Sequence, residues 1–327
     1  MLKRCCATLL LLAFLLPYAR AEEPLQFSEP IENICRVLGE NRYVNDSTAF
    51  ITELFPKMVE AFNSAIDALG TDHPPIYLYL VESSRSHAIA RTFDENSPGY
   101  NYLLENLHVN AFDHLKYTTY EQFCDYFYAT DHHWNYKGSY QGYVDIVRLL
   151  LGEDEEILIP VEEVVTDAVF NGSYSKHYGE AISDEPFAFY RFDPFPNYTC
   201  YTSSANLDKD KRTNYNSASK YLKGSFSRDP NANHYGLFYG GDAGFLIFKG
   251  EGPKERVLLM LGNSLSNPIK TMLTVHYGTI VYVDLRYYEK KHGQPFSLSK
   301  MIKQYGVTQV LLLGDINLFN FGDFPLP

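Results

Sequence analysis

Two stretches of the sequence carry side chains whose types and spacing suit acyl-transfer chemistry. In the first, the apolar run Val257-Leu258-Leu259-Met260-Leu261 enters Gly262-Asn263-Ser264, and Leu265-Ser266-Asn267-Pro268 follows. A serine where a strand turns into a helix can be a nucleophile. The N–H groups at the helix start carry partial positive charge and can hold the oxyanion of a tetrahedral intermediate. Gly262 permits the tight turn. Taken alone, a serine at that position is commonly only a helix cap. The second stretch is Thr130-Asp131-His132-His133-Trp134. A serine hydroxyl needs a base to take its proton, and the base needs a partner to fix its tautomer. Asp131 and His133 are two apart, so in an extended segment they project to one side, with His132 pointing the other way. This assigns His133 as base, Asp131 as its orienting acid and Ser264 as nucleophile, with His132 supporting or structural. Trp134, the one tryptophan of the chain, either lines the pocket or packs in the core.

Asp131, His132 and His133 also admit a metal reading. A catalytic zinc site usually has three protein ligands, and a third from His73, His87 or His177 is supported by no motif spacing. No metal or other cofactor is expected.

The elements around these stretches read as an α/β fold. Ile76–Val81, Val257–Leu261, Thr279–Val283 and Gln309–Leu313 are continuous apolar runs, each followed by polar residues. Helices are expected over 269–275 and 298–305, and from Lys137 to Leu151. Apolar strands alternating with helices indicate a mainly parallel sheet covered on both faces, with the ligand site outside the carboxyl ends of the strands. Residues 31–71 read as helical, with Ser47 or Thr48 capping a run through Ile51, Leu54, Phe55, Met58, Phe62 and Ile66. From 171 to about 240 periodicity dissolves. This stretch reads as an irregular or short-stranded insertion, either a lid or substrate wall or a decorated surface segment.

Composition bounds the setting. Lys3 and Arg4, the ten apolar residues Ala7–Leu16, Pro17 and Ala19-Arg20-Ala21 have the layout of a secretory signal peptide. The apolar run is well short of the ~20 residues of a spanning helix, and no other stretch is long and apolar enough to span. Residues 22–327 are expected to form one domain. The whole chain holds 28 basic and 40 acidic residues; without residues 1–21, 25 face 40, a net of −15. That balance repels phosphate backbones, so nucleic acid is not an expected partner. Cys35, Cys124 and Cys200 match no metal motif and read as structural, with at most one pair among them. Asn45, Asn171 and Asn197 fit the glycosylation pattern, which matters only in a eukaryotic source.

Thr130-Asp131-His132-His133-Trp134, followed by Asn135-Tyr136-Lys137-Gly138, resembles the signature of the DHHW protein family. That family is similar to the exported alginate O-acetylation proteins of the SGNH-hydrolase-like class, with an Asp-x-His-Trp stretch and a later strand–Gly-x-Ser–helix elbow. Val283-Asp284-Leu285-Arg286-Tyr287-Tyr288 resembles a further stretch of the family. The likeness runs unevenly from about residue 30 to the end of the chain. It implies an SGNH-like three-layer α/β/α sandwich with Ser264, His133 and Asp131 as a triad. It also implies Arg286 as a pocket residue, with a buried ion pair to Asp284 as its structural alternative. Asn267 and Asn317 are candidate oxyanion donors, or else caps. Residue 263 is Asn where relatives often have Asp.

The expected function is O-acetyl transfer or ester hydrolysis on an extracytoplasmic carbohydrate, with an acyl donor the sequence does not identify. The 27 Tyr and 22 Phe residues suit stacking on sugar rings as well as core packing. The other readings are a non-catalytic protein that keeps the fold and binds a glycan or other cell-surface component, and a metal-dependent hydrolase.

Overall fold

The computed structural model describes residues 25–32, 34–45, 54–81, 102–103, 105–180, 183–201, 218–315 and 318. The basic and apolar residues 1–21, Ser47, Thr48 and the polar run 82–86 lie outside them.

The four apolar runs become strands of one seven-stranded sheet. They are β3 (Ile76–Leu80), β9 (Val257–Gly262), β10 (Thr279–Val283) and β11 (Gln309–Gly314). The sheet also takes in β4 (Ala111–His114), β8 (Phe245–Lys249) and β7 (Thr199–Tyr201), in the order β4-β3-β11-β9-β10-β8-β7. β4, β3, β11, β9 and β10 run parallel. β8 and β7 extend that core antiparallel. Alternation along the strands sorts side chains to two faces. Tyr79, Leu258, Met260, Ile280, Tyr282, Leu311 and Leu313 join one buried cluster with Tyr143, Ile146 and Val147 of α3 (Tyr136–Leu151) and Ile269 and Met272 of α7 (Ile269–Met272). Leu78, Leu80, Leu259, Leu261, Val281 and Leu312 join the other with Val59, Phe62 and Ile66 of α1 (Leu54–Asp67), Tyr288 of α8 (Leu285–His292) and Met301 of α9 (Leu298–Tyr305). The result is a three-layer α/β/α sandwich.

β9 is the central strand and the point where the winding reverses. The chain leaves it through α7 on one face to β10, then crosses back on the other face through α8 and α9 to β11. In such sheets the crevice at the carboxyl end of the switch strand is the ligand site, and Ser264 stands there.

Three segments differ from what periodicity suggests. Residues 34–45 are a hairpin, β1 (Ile34–Arg36) with β2 (Tyr43–Asn45), not the start of a helix. Its strands are too short to show alternation, and Gly39 turns the chain at φ +89°. The Tyr- and Phe-rich stretch around 120 folds as α2 (Tyr120–Tyr126), capped by Thr119. The expected insertion is more ordered than its sequence suggests. β5 (Glu162–Val169) pairs with β6 (Pro186–Arg191), and with α5 (Ala218–Leu222) and α6 (His234–Tyr239) they build an aromatic subcore, while Tyr174 of α4 (Ser173–Tyr178) packs with Ile34 and Tyr43. Tyr128, Phe170, Phe187, Phe189, Tyr221, Tyr235 and Phe238 build that subcore. β7, within the same stretch, hydrogen-bonds into the edge of the main sheet. No disulfide joins Cys35, Cys124 and Cys200. Among the described residues no helix is long and apolar enough to cross a membrane.

One buried polar knot ties the end of α3 to the sheet. Tyr143 Oη lies 2.7 Å from His276 Nε2 and accepts from Leu158 N–H, and His276 Nδ1 meets Glu155 Oε1 at 3.1 Å. Burial pushes the His276 pKa below its ordinary value despite the carboxylate beside it. An unfolded histidine takes up its proton near pH 6.5 while His276 resists it, so the unfolded state binds more protons and stability falls as pH drops through that value. Urea midpoints at pH 7 and pH 5 should therefore drop more in the wild type than in His276→Asn. The extra slope is bounded by about 1.4 kcal/mol per pH unit for one proton. Equal slopes would mean that His276 is not the group taken up.

Candidate active site

The tight stretch from 127 to 135 is held at both ends. Phe127 and Trp134 form an isolated bridge, and Asn135 caps α3 by accepting from the N–H groups of Lys137 and Gly138. Between them the chain bends instead of running extended. Asp131 and His133 therefore meet through a turn: Asp131 Oδ1 accepts from His133 N–H at 3.0 Å and lies 2.5 Å from His133 Nδ1. The bend also corrects the expected position of His132. Its ring centroid is 3.9 Å from that of His133, and its Nδ1 faces Ser173 Oγ at 2.9 Å.

His133 Nε2 reaches Ser264 Oγ at 2.8 Å. These contacts set the tautomer, with the proton on Nδ1 directed to the carboxylate and the Nε2 lone pair facing the serine hydroxyl. The tie is doubled one residue on, where Trp134 Nε1 donates to Leu265 O at 3.0 Å. Trp134 is fully buried, so it braces the elbow from within the core. Asp131 and His133 are buried while Ser264 is partly exposed, which leaves the hydroxyl as the reachable end of the relay.

Burial by itself pushes the Asp131 carboxyl up. The neighbouring His133 and His132, with hydrogen bonds from His133 and Ser173, outweigh it and hold the group well below the usual carboxylate range. Ser173 N–H donates to Asp131 Oδ2 at 2.7 Å. That approach requires Gly172, because a Cβ there would run into the Asp131 side chain. Asp131 is thus a fixed anion facing the imidazole.

The elbow is shaped by its own side chains. A Cβ on Gly262 would press within 2.8 Å of Leu313 O. Asn263 Oδ1 accepts from Leu265 N–H at 3.0 Å, and its Nδ2 donates to Asp315 Oδ1 at 3.1 Å. This second bond gives the amide at 263 a physical reason, since a carboxylate there would face Asp315.

The remaining sequence candidates lie on the flank. Asn267 is buried; its Oδ1 accepts from Lys270 Nζ at 2.6 Å, and its Nδ2 is 3.4 Å from Asp242 Oδ1. Arg286 grips the buried Asp284 with two nitrogens, at 2.9 and 2.6 Å, and meets Asp242 at 3.2 Å. The ion pair named as the alternative role of Arg286 is therefore present. Asn317 lies outside the described residues.

Asp131, His132 and His133 hold ligand-capable atoms within 4.8 Å of one another. An ion bound by two such atoms at about 2.0–2.2 Å each sets them roughly 3 Å apart. The 2.5 Å between Asp131 and His133 is a hydrogen-bond separation. His73 faces Pro74 O and His177 faces Glu32, while His87 lies outside the described residues. The arrangement fits a proton relay better than a metal centre.

Two neighbours carry no sequence signal. Tyr235 of α6 stacks on His133, with centroids 3.9 Å apart and planes 22° apart, and donates to Ser264 O at 2.7 Å. Lys270 is fully buried over the Tyr282 ring, and burial draws its pKa down to about 7 against the pull of Asp242.

A mainly parallel sheet wound about a central strand, with a strand–Gly-Asn-Ser–helix elbow, fits the three-layer sandwich that the resemblance implies. Most of the chain overlays on solved proteins. A DHHW family protein from Eubacterium siraeum matches with a TM-score of 0.66 and 16% identity, over 90% of this chain and 94% of that one. Bacillus cereus PatB1, solved with a sulfonyl adduct, matches with 0.65 and 17%, over 86% and 97%. The O-acetyltransferase domain of Pseudomonas putida AlgJ matches with 0.44 and 14%, over 86% and 90%. No protein-family model matches the sequence, and no curated protein matches it.

Asn263→Asp tests the reading of the elbow. The new carboxylate faces Asp315 and shares its site, so one of the pair has a raised folded-state pKa, and stability present at low pH is lost as pH rises through it. At pH 7.5 the variant should lose about 1–3 kcal/mol in urea unfolding, and the loss should shrink by pH 5. A pH-independent loss would assign the effect to packing.

Proposed function

We propose that the protein is an exported serine-dependent acyl-transfer enzyme, an O-acetyltransferase or O-acetylesterase acting on a cell-surface or extracellular carbohydrate. The observation that carries the reading is the continuous relay from Asp131 through His133 to the partly exposed Ser264 hydroxyl, at the carboxyl end of the switch strand.

In this mechanism Ser264 Oγ attacks the acyl carbonyl while His133 Nε2 takes the hydroxyl proton. Asp131 keeps the imidazole in its working tautomer and stabilises the imidazolium. The tetrahedral intermediate collapses as His133 returns that proton to the departing oxygen, leaving an ester on Ser264. A second hydroxyl, from water or from a sugar, then gives its proton to His133 and attacks the ester. Collapse, with His133 giving that proton to Ser264 Oγ, restores Ser264 and releases either the free acid or the acylated sugar. The relay serves both outcomes.

Several observations support the reading beyond the relay. The sulfonyl adduct of PatB1 is the product expected when a nucleophile attacks a sulfonyl electrophile, and that protein shares this fold. The resemblance of Asp131-His132-His133-Trp134 to the DHHW signature points to O-acetyl chemistry on a polysaccharide. The signal-peptide layout of residues 1–21 supports export.

The test is p-nitrophenyl acetate turnover and fluorophosphonate labelling of the purified protein beside Ser264→Ala and His133→Ala. Turnover should fall by roughly 10⁴-fold or more in both, with folding intact and labelling abolished in Ser264→Ala. Comparable turnover in all three would remove the triad. A wild type that neither turns over nor labels would favour the glycan-binding reading.

A further inference from the structure

The stretch from 171 to about 240 reads in the sequence as an irregular insertion, yet it supplies three of the contacts that hold the relay. Ser173, at the start of α4, presents its N–H to Asp131 Oδ2. Tyr235, in α6, touches both other members. Its ring lies nearly parallel to the His133 imidazole at 3.9 Å, and its hydroxyl donates to the carbonyl of Ser264 at 2.7 Å.

Tyr235 is itself fixed. It is 2% exposed, it packs against Tyr239 at 5.2 Å and edge-on to Tyr128 at 6.4 Å, and it sits in the aromatic subcore. Burial raises its phenol far above the ordinary value, so the hydroxyl remains a donor at any working pH. The stacked ring restricts imidazole rotation about its Cβ–Cγ bond. The hydroxyl restrains the backbone that carries Ser264. The atoms that exchange the proton, His133 Nε2 and Ser264 Oγ, are thereby restrained from one side chain.

We infer that Tyr235 is a positioning residue of the Ser264–His133 pair, and that the segment bearing it is a working wall of the active site. The inference rests on the triad reading. It goes beyond it by assigning a role to a residue that lies in neither motif and to a segment that has no place in the triad itself.

Tyr235→Phe keeps the ring and removes the hydroxyl; Tyr235→Leu removes both. With p-nitrophenyl acetate, Tyr235→Phe should lower kcat roughly 5-fold, the scale of one lost hydrogen bond. Tyr235→Leu should lower it by about 10²-fold, the scale of a misplaced catalytic group. KM should stay within about 2-fold of the wild type in both, because a positioning residue acts on the chemical step. In proton NMR, the His133 Nδ1–H resonance should persist in Tyr235→Phe and be lost to exchange in Tyr235→Leu. Wild-type kcat in a folded Tyr235→Leu, or a rise in KM with kcat unchanged, overturns the inference. Should Tyr235→Leu not fold, Tyr235→Phe decides the matter: unchanged kcat there overturns the inference, and the moderate loss supports it. Ser264→Ala keeps the two claims apart. Retained turnover there ends the triad reading, and the Nδ1–H resonance still reports whether Tyr235 holds the imidazole.

Discussion

The contact between His133 Nε2 and Ser264 Oγ is the constraint that most of this structure serves. It joins residues 131 apart in sequence, and proton transfer tolerates little error in its length or direction. One such contact between two loops would be loose. Here it runs beside a second at the same separation, the Trp134 indole on Leu265 O. Each loop is also fastened to a rigid element. The bend at 131–134 leads into α3, whose Asn135 cap also donates to Asp125 O. The elbow continues β9, which has hydrogen-bonded parallel neighbours on both sides. The seven-stranded sheet therefore acts as the jig that keeps two short loops in register.

That arrangement places an ionised carboxylate where solvent hardly reaches. Taking a charge out of water is costly unless donors replace the lost hydration. Asp131 receives them from three directions: the His133 ring, the His133 backbone and the Ser173 backbone. The last of these comes from beyond residue 162, so the excursion is part of what makes a buried acid tolerable beside the histidine. Arg286 follows a similar logic on the flank. Asp284 is 1% exposed, and a carboxyl so buried needs the two guanidinium contacts it has. This engages the guanidinium with the protein before any substrate arrives.

The legible parts of the sequence are those in which local pattern and tertiary role agree. Val257–Leu261 and Val310–Leu313 are unbroken apolar runs because they lie in the middle of a sheet covered on both faces, and their strand character shows without knowledge of their partners. Asp131, His133 and Ser264 are legible because two short motifs keep their chemistry within a few residues each. The hairpin at 34–45 is not legible, since three-residue strands have no period to read and the neighbouring amphipathic helix lends them its pattern. His132 is misplaced by a rule for extended chain applied to a bend. Tyr235 is invisible for a different reason. Nothing near Asn233-His234-Tyr235 announces a site, and its value comes from a chain that leaves the sheet and returns above Ser264.

The same geometry bears on what can approach the serine. His133 has the Tyr235 and His132 rings each at 3.9 Å, and it is almost wholly buried. Water has little access to the imidazole. On the proposed mechanism, a second nucleophile would arrive along the path that the acyl donor has just left, and the His133 proton would be handed on in that space. A bulky hydroxyl acceptor held there would exclude water by its own volume, whereas an empty path admits it. On that proposal, the choice between transfer and hydrolysis would fall to whatever lines the approach to Ser264, and the Asp131–His133–Ser264 contacts would need no change to serve either.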